Sequence, residues 1–197
     1  AREEILHVHF KDKPLEKNIY IKEIAKKTSV MTGAHLSSIA NEAAILAVRH
    51  QKNIISKHEI DEAIEKIVAG LERKSAVINE FEKRKVSVHE AGHALVAKFL
   101  NSDCISKISI IPRGKALGYT MQIPEEDRYL ITEAEMHEKI KVLFGGRAAE
   151  QLIYNEISSG ARDDLKKANT IAYEMVCELG MSGLGNIIYD ENTIRNC

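Results

Sequence analysis

Long hydrophobic runs are missing from this 197-residue sequence: the longest, such as Ala43 to Val48, fall far short of the ~20 apolar residues a membrane-spanning helix needs. No segment is therefore expected to cross a bilayer. Cysteine is scarce and odd in number, with Cys104, Cys177 and Cys197 at unpaired spacings. This excludes a disulfide framework and a CxxC-type metal site, and makes a reducing compartment the simpler setting. An excess of one charge is missing too. The formal net charge is −1, with Lys and Arg interleaved with Glu, so the basic footprint of a nucleic-acid binder is lacking and no nucleic-acid partner is expected. There is no internal repeat, no low-complexity tract and no basic-then-apolar leader. A GxxxxGK[ST] phosphate loop is also absent, since Gly114-Lys115 is followed by Ala116 and lacks the earlier glycine. The chain is accordingly expected not to hydrolyse ATP alone. Because it opens directly in a helical pattern, it is expected to be part of a longer protein.

What remains is a globular composition, 44% apolar and 29% charged, with room for one good domain or two small ones. Residues 1 to about 69 read as four helices with polar connections, Arg2 to His9, Ile19 to Lys27, Thr32 to Gln51 and Ser56 to Ala69. Ser56-Lys57-His58-Glu59 has the form of a capping box, and Gly70 offers a left-handed stop. Ile60, Ala63, Ile64, Ile67 and Val68 keep the spacing of one buried stripe. From Glu72 to Lys85 the chain is rich in charge and free of Pro and Gly, which predicts the beginning of a helix crossing between domains. A helix over Asn79 to Leu100 follows. Ile105 to Ile111 alternates as a strand, ended by the turn signal Pro112-Arg113-Gly114, and Leu117 to Ile123 returns as a second strand. Thr132-Glu133-Ala134-Glu135 opens a helix predicted to stop at Gly145-Gly146. Further helices are predicted over Arg147 to Tyr154 and Asp163 to Leu179.

Val88-His89-Glu90-Ala91-Gly92-His93 is the chemically informative stretch. Residues four apart share a helix face, so His89 and His93 can aim imidazole nitrogens at one point, which suits a zinc ion. Catalytic zinc usually leaves one position to water and lowers the pKa of that water toward ~7. Glu90 is turned about 100° around the helix axis from His89. It reaches that water without acting as a ligand, and so is the natural general base for peptide-bond hydrolysis. Two histidines on a solvated face would be the plain alternative. Gly92 argues against it, because glycine inside a helix costs ~1 kcal/mol relative to alanine and suggests that something passes close to the backbone there. A third ligand must come from elsewhere. Glu150 and the Asp163-Asp164 pair are the candidates, and spacing does not choose between them; acids in a first helical turn also serve the helix dipole with no further role. His137 reads as a surface residue.

The stretches VHEAGHAL, ISIIPRGKALGYT, LFGGRAAEQLIY and SSGARDDLKKANTIAYEMV, in this order, resemble the peptidase domain of the FtsH family of membrane-anchored, ATP-dependent zinc proteases. Upstream, REEILHVHFKDKPL and TGAHLSSIANEAAILAVRH resemble the end of that family's AAA+ module. The resemblance implies a mainly α (α+β) fold: a four-helix AAA+ lid over 1–70, a linker over 71–78, and a mostly helical zinc-metallopeptidase domain with a small β-sheet over 79–197, lacking the family's last helices. It implies Zn2+ held by His89, His93 and Asp164, with Glu90 as base and Glu150 as a supporting acid and second choice of ligand. His9, Gly33 and Ala34 match positions at the adenine end of ATP, a cofactor used with Mg2+ only in the full-length parent. Ser29, Val30 and His35 depart from the family's Pro, Gly and Asp, and Asp163 stands where it has Asn. The implied setting is a homo-hexamer anchored in a bacterial or organellar inner membrane and degrading unfolded, misfolded or short-lived proteins. On this reading the chain itself carries neither anchor nor phosphate loop, and cleaves only what is already unfolded. A helical ring-assembly module with a structural or empty metal site is the competing expectation, which the intact Glu90 disfavours. A free-standing nucleotide-binding protein is disfavoured by the missing phosphate loop.

Overall fold

The computed structural model describes residues 1–29, 31–75, 78–100, 104–114, 116–123 and 130–189. The fold is mainly helical with a small two-stranded antiparallel sheet. The described residues form two compact units, one drawn from 1–76, 111–119 and 123–127, the other from 77–110, 120–122 and 128–197. No helix among them is long and apolar enough to cross a membrane.

The first unit holds α1 (Arg2–Phe10), α2 (Ile21–Lys27), α3 (Gly33–Arg49) and α4 (Lys57–Ala69). Its core gathers the apolar stripes of all four, with Leu6, Leu36, Ile39 and Ile55 fully buried. The caps follow the sequence. Glu59 of the Ser56 box accepts from the Ser56 backbone N–H at 3.0 Å and from its hydroxyl, and Gly70 closes α4 with φ 86°, a conformation that disfavours any Cβ. Thr32 caps α3, and His35 takes the place of the usual acid by accepting from the Thr32 N–H at 3.3 Å. Val30 lies outside the described residues.

The charged stretch from Glu72 is helical only from Glu80: Glu72 makes an antiparallel bridge with Arg113, and Arg73 N donates to Pro112 O at 2.9 Å while Gly114 N donates to Leu71 O at 3.0 Å. Pro112-Arg113-Gly114 is therefore more than a turn. The Arg113 side chain is buried and donates to Glu65 Oε2 at 3.1 Å and to the Gly70 carbonyl at 3.3 Å, and Tyr119 donates to the same Glu65 oxygen at 3.0 Å. A guanidinium out of water needs such partners. The first strand also stops early, at Ser109 rather than Ile111.

In the second unit, α5 (Glu80–Phe99) starts at an Asn79 cap whose Oδ1 accepts from Glu82 N at 2.8 Å. The strand β1 (Cys104–Ser109) packs beside α5 and pairs with β2 (Tyr119–Ile123), of which Thr120–Gln122 belong to this unit. Then α6 (Glu133–Tyr154) begins at the Thr132 capping box. A 3-10 turn at Ser159–Ala161 leads into α7 (Arg162–Tyr173), which gives way to a π-helical turn at Glu174–Glu178 rather than running regularly to Leu179.

The predicted stop at Gly145-Gly146 is wrong: α6 runs unbroken through both glycines. They are there for approach, not termination. A Cβ on Gly92 would lie 2.4 Å from the Gly145 carbonyl oxygen, and one on Gly145 would lie 2.7 Å from the Gly92 oxygen. The two helices cross back to back at this pair, nearer than any side chain permits.

Candidate metal centre

His89, Glu90 and His93 lie on the buried face of α5, each 8% exposed or less. The His89 and His93 rings stand nearly perpendicular with centroids 4.7 Å apart. Their outer nitrogens are committed elsewhere. Nδ1 of His93 is 2.7 Å from the carbonyl oxygen of Val142 on α6, and Nδ1 of His89 is 2.7 Å from Glu150 Oε1. A carbonyl only accepts, so His93 carries its proton on Nδ1; the same holds for His89 opposite an ionised Glu150. Burial alone would raise the Glu150 pKa, but its hydrogen bonds with Ser158 and His89 outweigh this and lower it.

Both Nε2 atoms therefore present lone pairs inward, and they face each other at 3.0 Å. Asp164 Oδ2 stands 3.2 Å from the first and 3.4 Å from the second. Three electron-pair donors pointed at one spot require a cation between them. Protons supply part of this in the metal-free chain: burial acts to lower the His89 pKa, yet Asp164 and Glu150 together raise it. Burial likewise acts to raise Asp164, but the two histidines hold its carboxyl well below the usual range. A metal ion satisfies all three at once. Ligand atoms about 2.0–2.1 Å from a tetrahedral centre lie ~3.3 Å from one another, and the observed triangle of 3.0, 3.2 and 3.4 Å matches.

Gly146 forms the floor of this triangle. A Cβ there would come within 2.6 Å of His89 Cε1, His89 Nε2 and His93 Nε2. The glycine thus leaves the two Nε2 atoms the space they occupy.

Glu90 is held beside the triangle, outside it. Its Oε2 accepts from Thr120 Oγ1 of β2 at 2.9 Å, and the same hydroxyl lies 3.2 Å from the Glu90 carbonyl. Burial pushes the Glu90 pKa up, against the Thr120 hydrogen bond and the two histidines. A carboxylate so placed takes a proton more readily than one in water.

Of the sequence candidates, then, the structure brings His89, His93 and Asp164 within 4.8 Å of one another. Asp163 is exposed, in keeping with a helix-dipole role. Glu150, 3% exposed, sits on the far side of His89 and links two parts of the site: Oε1 faces His89, while Oε2 accepts from the Ser158 N–H at 2.9 Å. Ser158 opens the turn that delivers Asp164, and its Oγ accepts from Gly160 N at 3.2 Å. His137 is exposed, 3.8 Å from Glu133. His9 is half-buried on α1, while Gly33 and Ala34 are exposed in the first turn of α3. Sequence reasoning missed Thr120, the Val142 carbonyl and Ser158. Thr120 and Ser158 lay in quoted motifs, but nothing about their types singled them out.

An HExxH helix packed against a second helix, with a carboxylate brought in from a third, places the chain among the mainly helical metallopeptidases. The chain belongs to peptidase family M41, whose profile matches residues 76–196. It is 52% identical over 196 residues to the ATP-dependent zinc metalloprotease FtsH 2 of Thermoanaerobacter sp. (strain X514), an alignment covering 100% of this chain and 38% of the relative. It is 50% identical over 182 residues to the ATP-dependent zinc metalloprotease FtsH of Endomicrobium trichonymphae, covering 92% of this chain and 29% of that protein. To the FtsH of Clostridium perfringens (strain ATCC 13124) it is 44% identical over 208 residues, covering 100% of this chain and 29% of that protein. The chain thus spans well under half the length of these curated relatives.

Proposed function

We propose that this chain carries the catalytic centre of a zinc endopeptidase, with His89, His93 and Asp164 as ligands and Glu90 as general base. The observation that carries the reading is the triangle of inward-facing donors, 3.0–3.4 Å apart, whose outer nitrogens are already bonded. Two imidazoles and a carboxylate are a donor set suited to zinc, and three protein ligands leave a position free. Zinc held there supplies Lewis-acid polarisation of the scissile carbonyl and acidifies a water. The chain's own groups do the rest. Glu90 Oε1, the oxygen not facing Thr120, accepts the attacking water's proton and passes it to the leaving amine nitrogen. Thr120 holds Glu90 in register, and Glu150 and the Val142 carbonyl fix the two imidazoles.

The relatives' names extend the proposal to a longer protein. In it, residues 1–70 form the lid of an AAA+ module, with His9, Gly33 and Ala34 near the adenine of ATP, 71–78 link the domains, and 79–197 form the peptidase. The parent is a membrane-anchored homo-hexamer that uses ATP and Mg2+ to deliver misfolded or short-lived proteins. An extended substrate that adds to an edge of the β1–β2 sheet gains main-chain hydrogen bonds near the centre.

Zinc content and cleavage of an unfolded protein test this. Glu90→Gln is expected to keep its zinc and lose cleavage by about 10²-fold or more, and Asp164→Ala to lose zinc. Wild-type cleavage by Glu90→Gln, or full zinc in Asp164→Ala, overturns the assignment.

A further inference from the structure

A second group of metal-type donors lies in the first unit, where α3 ends and α4 begins. His50 caps α3, and His58 and Glu62 sit one turn apart on α4. One ligand atom from each falls within 4.8 Å of the others. We propose that His50 Nε2, His58 Nδ1 and Glu62 Oε2 form a second site for a borderline divalent ion of the zinc, cobalt or nickel type, clasping the end of α3 to the first turns of α4.

A buried carboxylate behind an imidazole recurs here. Glu59, fully buried, sits with Oε1 3.0 Å from His50 Nδ1, as Glu150 does with His89. Lys52 Nζ and the Ser56 N–H and hydroxyl also donate to this carboxylate. His50 therefore keeps its proton on Nδ1 and turns the Nε2 lone pair toward Glu62, the carboxylate–imidazole arrangement that orients metal ligands. Glu62 Oε2 lies 3.8 Å from His50 Nε2 and 3.9 Å from His58 Nδ1. Those gaps are too long for hydrogen bonds. They are about half an ångström wider than the ~3.3 Å edge of a tetrahedral site, a closure that takes small movements of His58, which is 70% exposed, and of the His50 and Glu62 side chains, 36% and 32% exposed.

The backbone that sets these residues is not free to wander. Lys52 N donates to Ala47 O at 2.8 Å, Ile55 N to Pro14 O at 2.8 Å, and the Ser56 box fixes the start of α4. Charge is favourable as well. Lys52 Nζ, 2.8 Å from Glu59 Oε1, is neutralised by it, which leaves the Glu62 carboxylate to face the ion. Two imidazoles with a single carboxylate select a transition ion over Mg2+ or Ca2+, with water completing the shell.

The test uses the whole chain stripped with chelator, dialysed against zinc and analysed for bound metal. Wild type is expected to hold two zinc ions per chain, His58→Ala and Glu62→Gln one each, and Asp164→Ala one. Zinc should also raise the melting temperature of Asp164→Ala and leave that of the Asp164→Ala/His58→Ala double variant unchanged; in chelator the two should melt together, showing that the fold is intact. A single equivalent that Asp164→Ala abolishes overturns the proposal, as does a second equivalent that survives in both His58→Ala and Glu62→Gln. Failure of the main centre alone would appear instead as loss of the ion that depends on Asp164.

Discussion

Replacing Gly146 with alanine should separate the fold from the metal centre. The added Cβ would stand 2.6 Å from three ring atoms of His89 and His93, and ordinary contact begins at 3.4 Å, so the rings must retreat by about 0.8 Å. Metal–ligand distances tolerate only about ±0.2 Å. Zinc affinity is therefore expected to fall at least ~10-fold, the lower end of what disturbing a ligand's support costs. The colliding atoms are the far ends of side chains, so α6 itself loses nothing, and alanine in place of an interior glycine favours a helix by ~1 kcal/mol. In chelator, Gly146→Ala should melt level with wild type or up to roughly 2–4 °C above it. Gly92→Ala supplies the contrast. Its Cβ meets backbone, 2.4 Å from the Gly145 oxygen, and overpacking of ~1–3 kcal/mol should outweigh the propensity gain and lower the melting temperature with or without metal. The readouts are chelator melts by far-UV circular dichroism and a competitive zinc titration. Wild-type zinc affinity in Gly146→Ala would refute the argument, as would a chelator melt as low as that of Gly92→Ala.

Thr120→Val keeps the side-chain volume and removes the donor to Glu90. Because that hydrogen bond opposes the burial that raises the Glu90 pKa, the acidic limb of kcat/KM should move to higher pH with zinc content unchanged; an unmoved limb would remove Thr120 from the site. For pH itself, the His89 pKa in the metal-free chain is raised above 6.5 by Asp164 and Glu150, against burial. A raised imidazole contributes stability below its unfolded pKa, lost as pH rises through the folded one. Zinc competes with that proton, so zinc affinity should run the other way, full above the raised pKa and falling as pH drops through it; zinc affinity independent of pH between 6 and 8 (roughly the imidazole range) would contradict this. Glu150→Gln can accept from either His89 or Ser158 but not both, since one end of an amide only donates. Zinc affinity should fall about 10–100-fold in a competitive titration, and an unaltered value would show that Glu150 does not hold the ligands.

The parts of the fold legible in the sequence are those governed by neighbours in the chain. The Ser56 and Thr132 capping boxes, the Gly70 stop and the Asn79 start each depend on residues within four positions. What misled was glycine between Phe144 and Arg147. Locally, Gly145-Gly146 reads as a terminator. In the structure its cause lies far away in the sequence, in the approach of Gly92 and of the two histidine rings. The same sequence reading took Gly92 as a sign of close approach, correctly, but it had no means of pairing one glycine with the other. Arg113 was lost in the same way. Its buried bond to Glu65 spans 48 positions, and the turn residues on either side of it gave a sufficient local explanation.

The centre divides along the same line. His89, Glu90 and His93 share one helix, so their relation follows from helical geometry alone and could be read directly. Asp164 reaches them from α7, 75 positions from His89, and no spacing rule distinguishes it from Glu150. Proton accounting supports the proposed assignment of Asp164. Glu150 faces Nδ1, where an acceptor is needed, and Asp164 faces the two Nε2 lone pairs, where only a cation can intervene. Glu150 also accepts from the Ser158 N–H at the start of the turn leading to Asp164. Its two oxygens thus hold the His89 ring and the start of the segment that carries Asp164. In the proposed centre, a carboxylate engaged on both sides in this way supports the triangle of 3.0–3.4 Å rather than binding the ion itself.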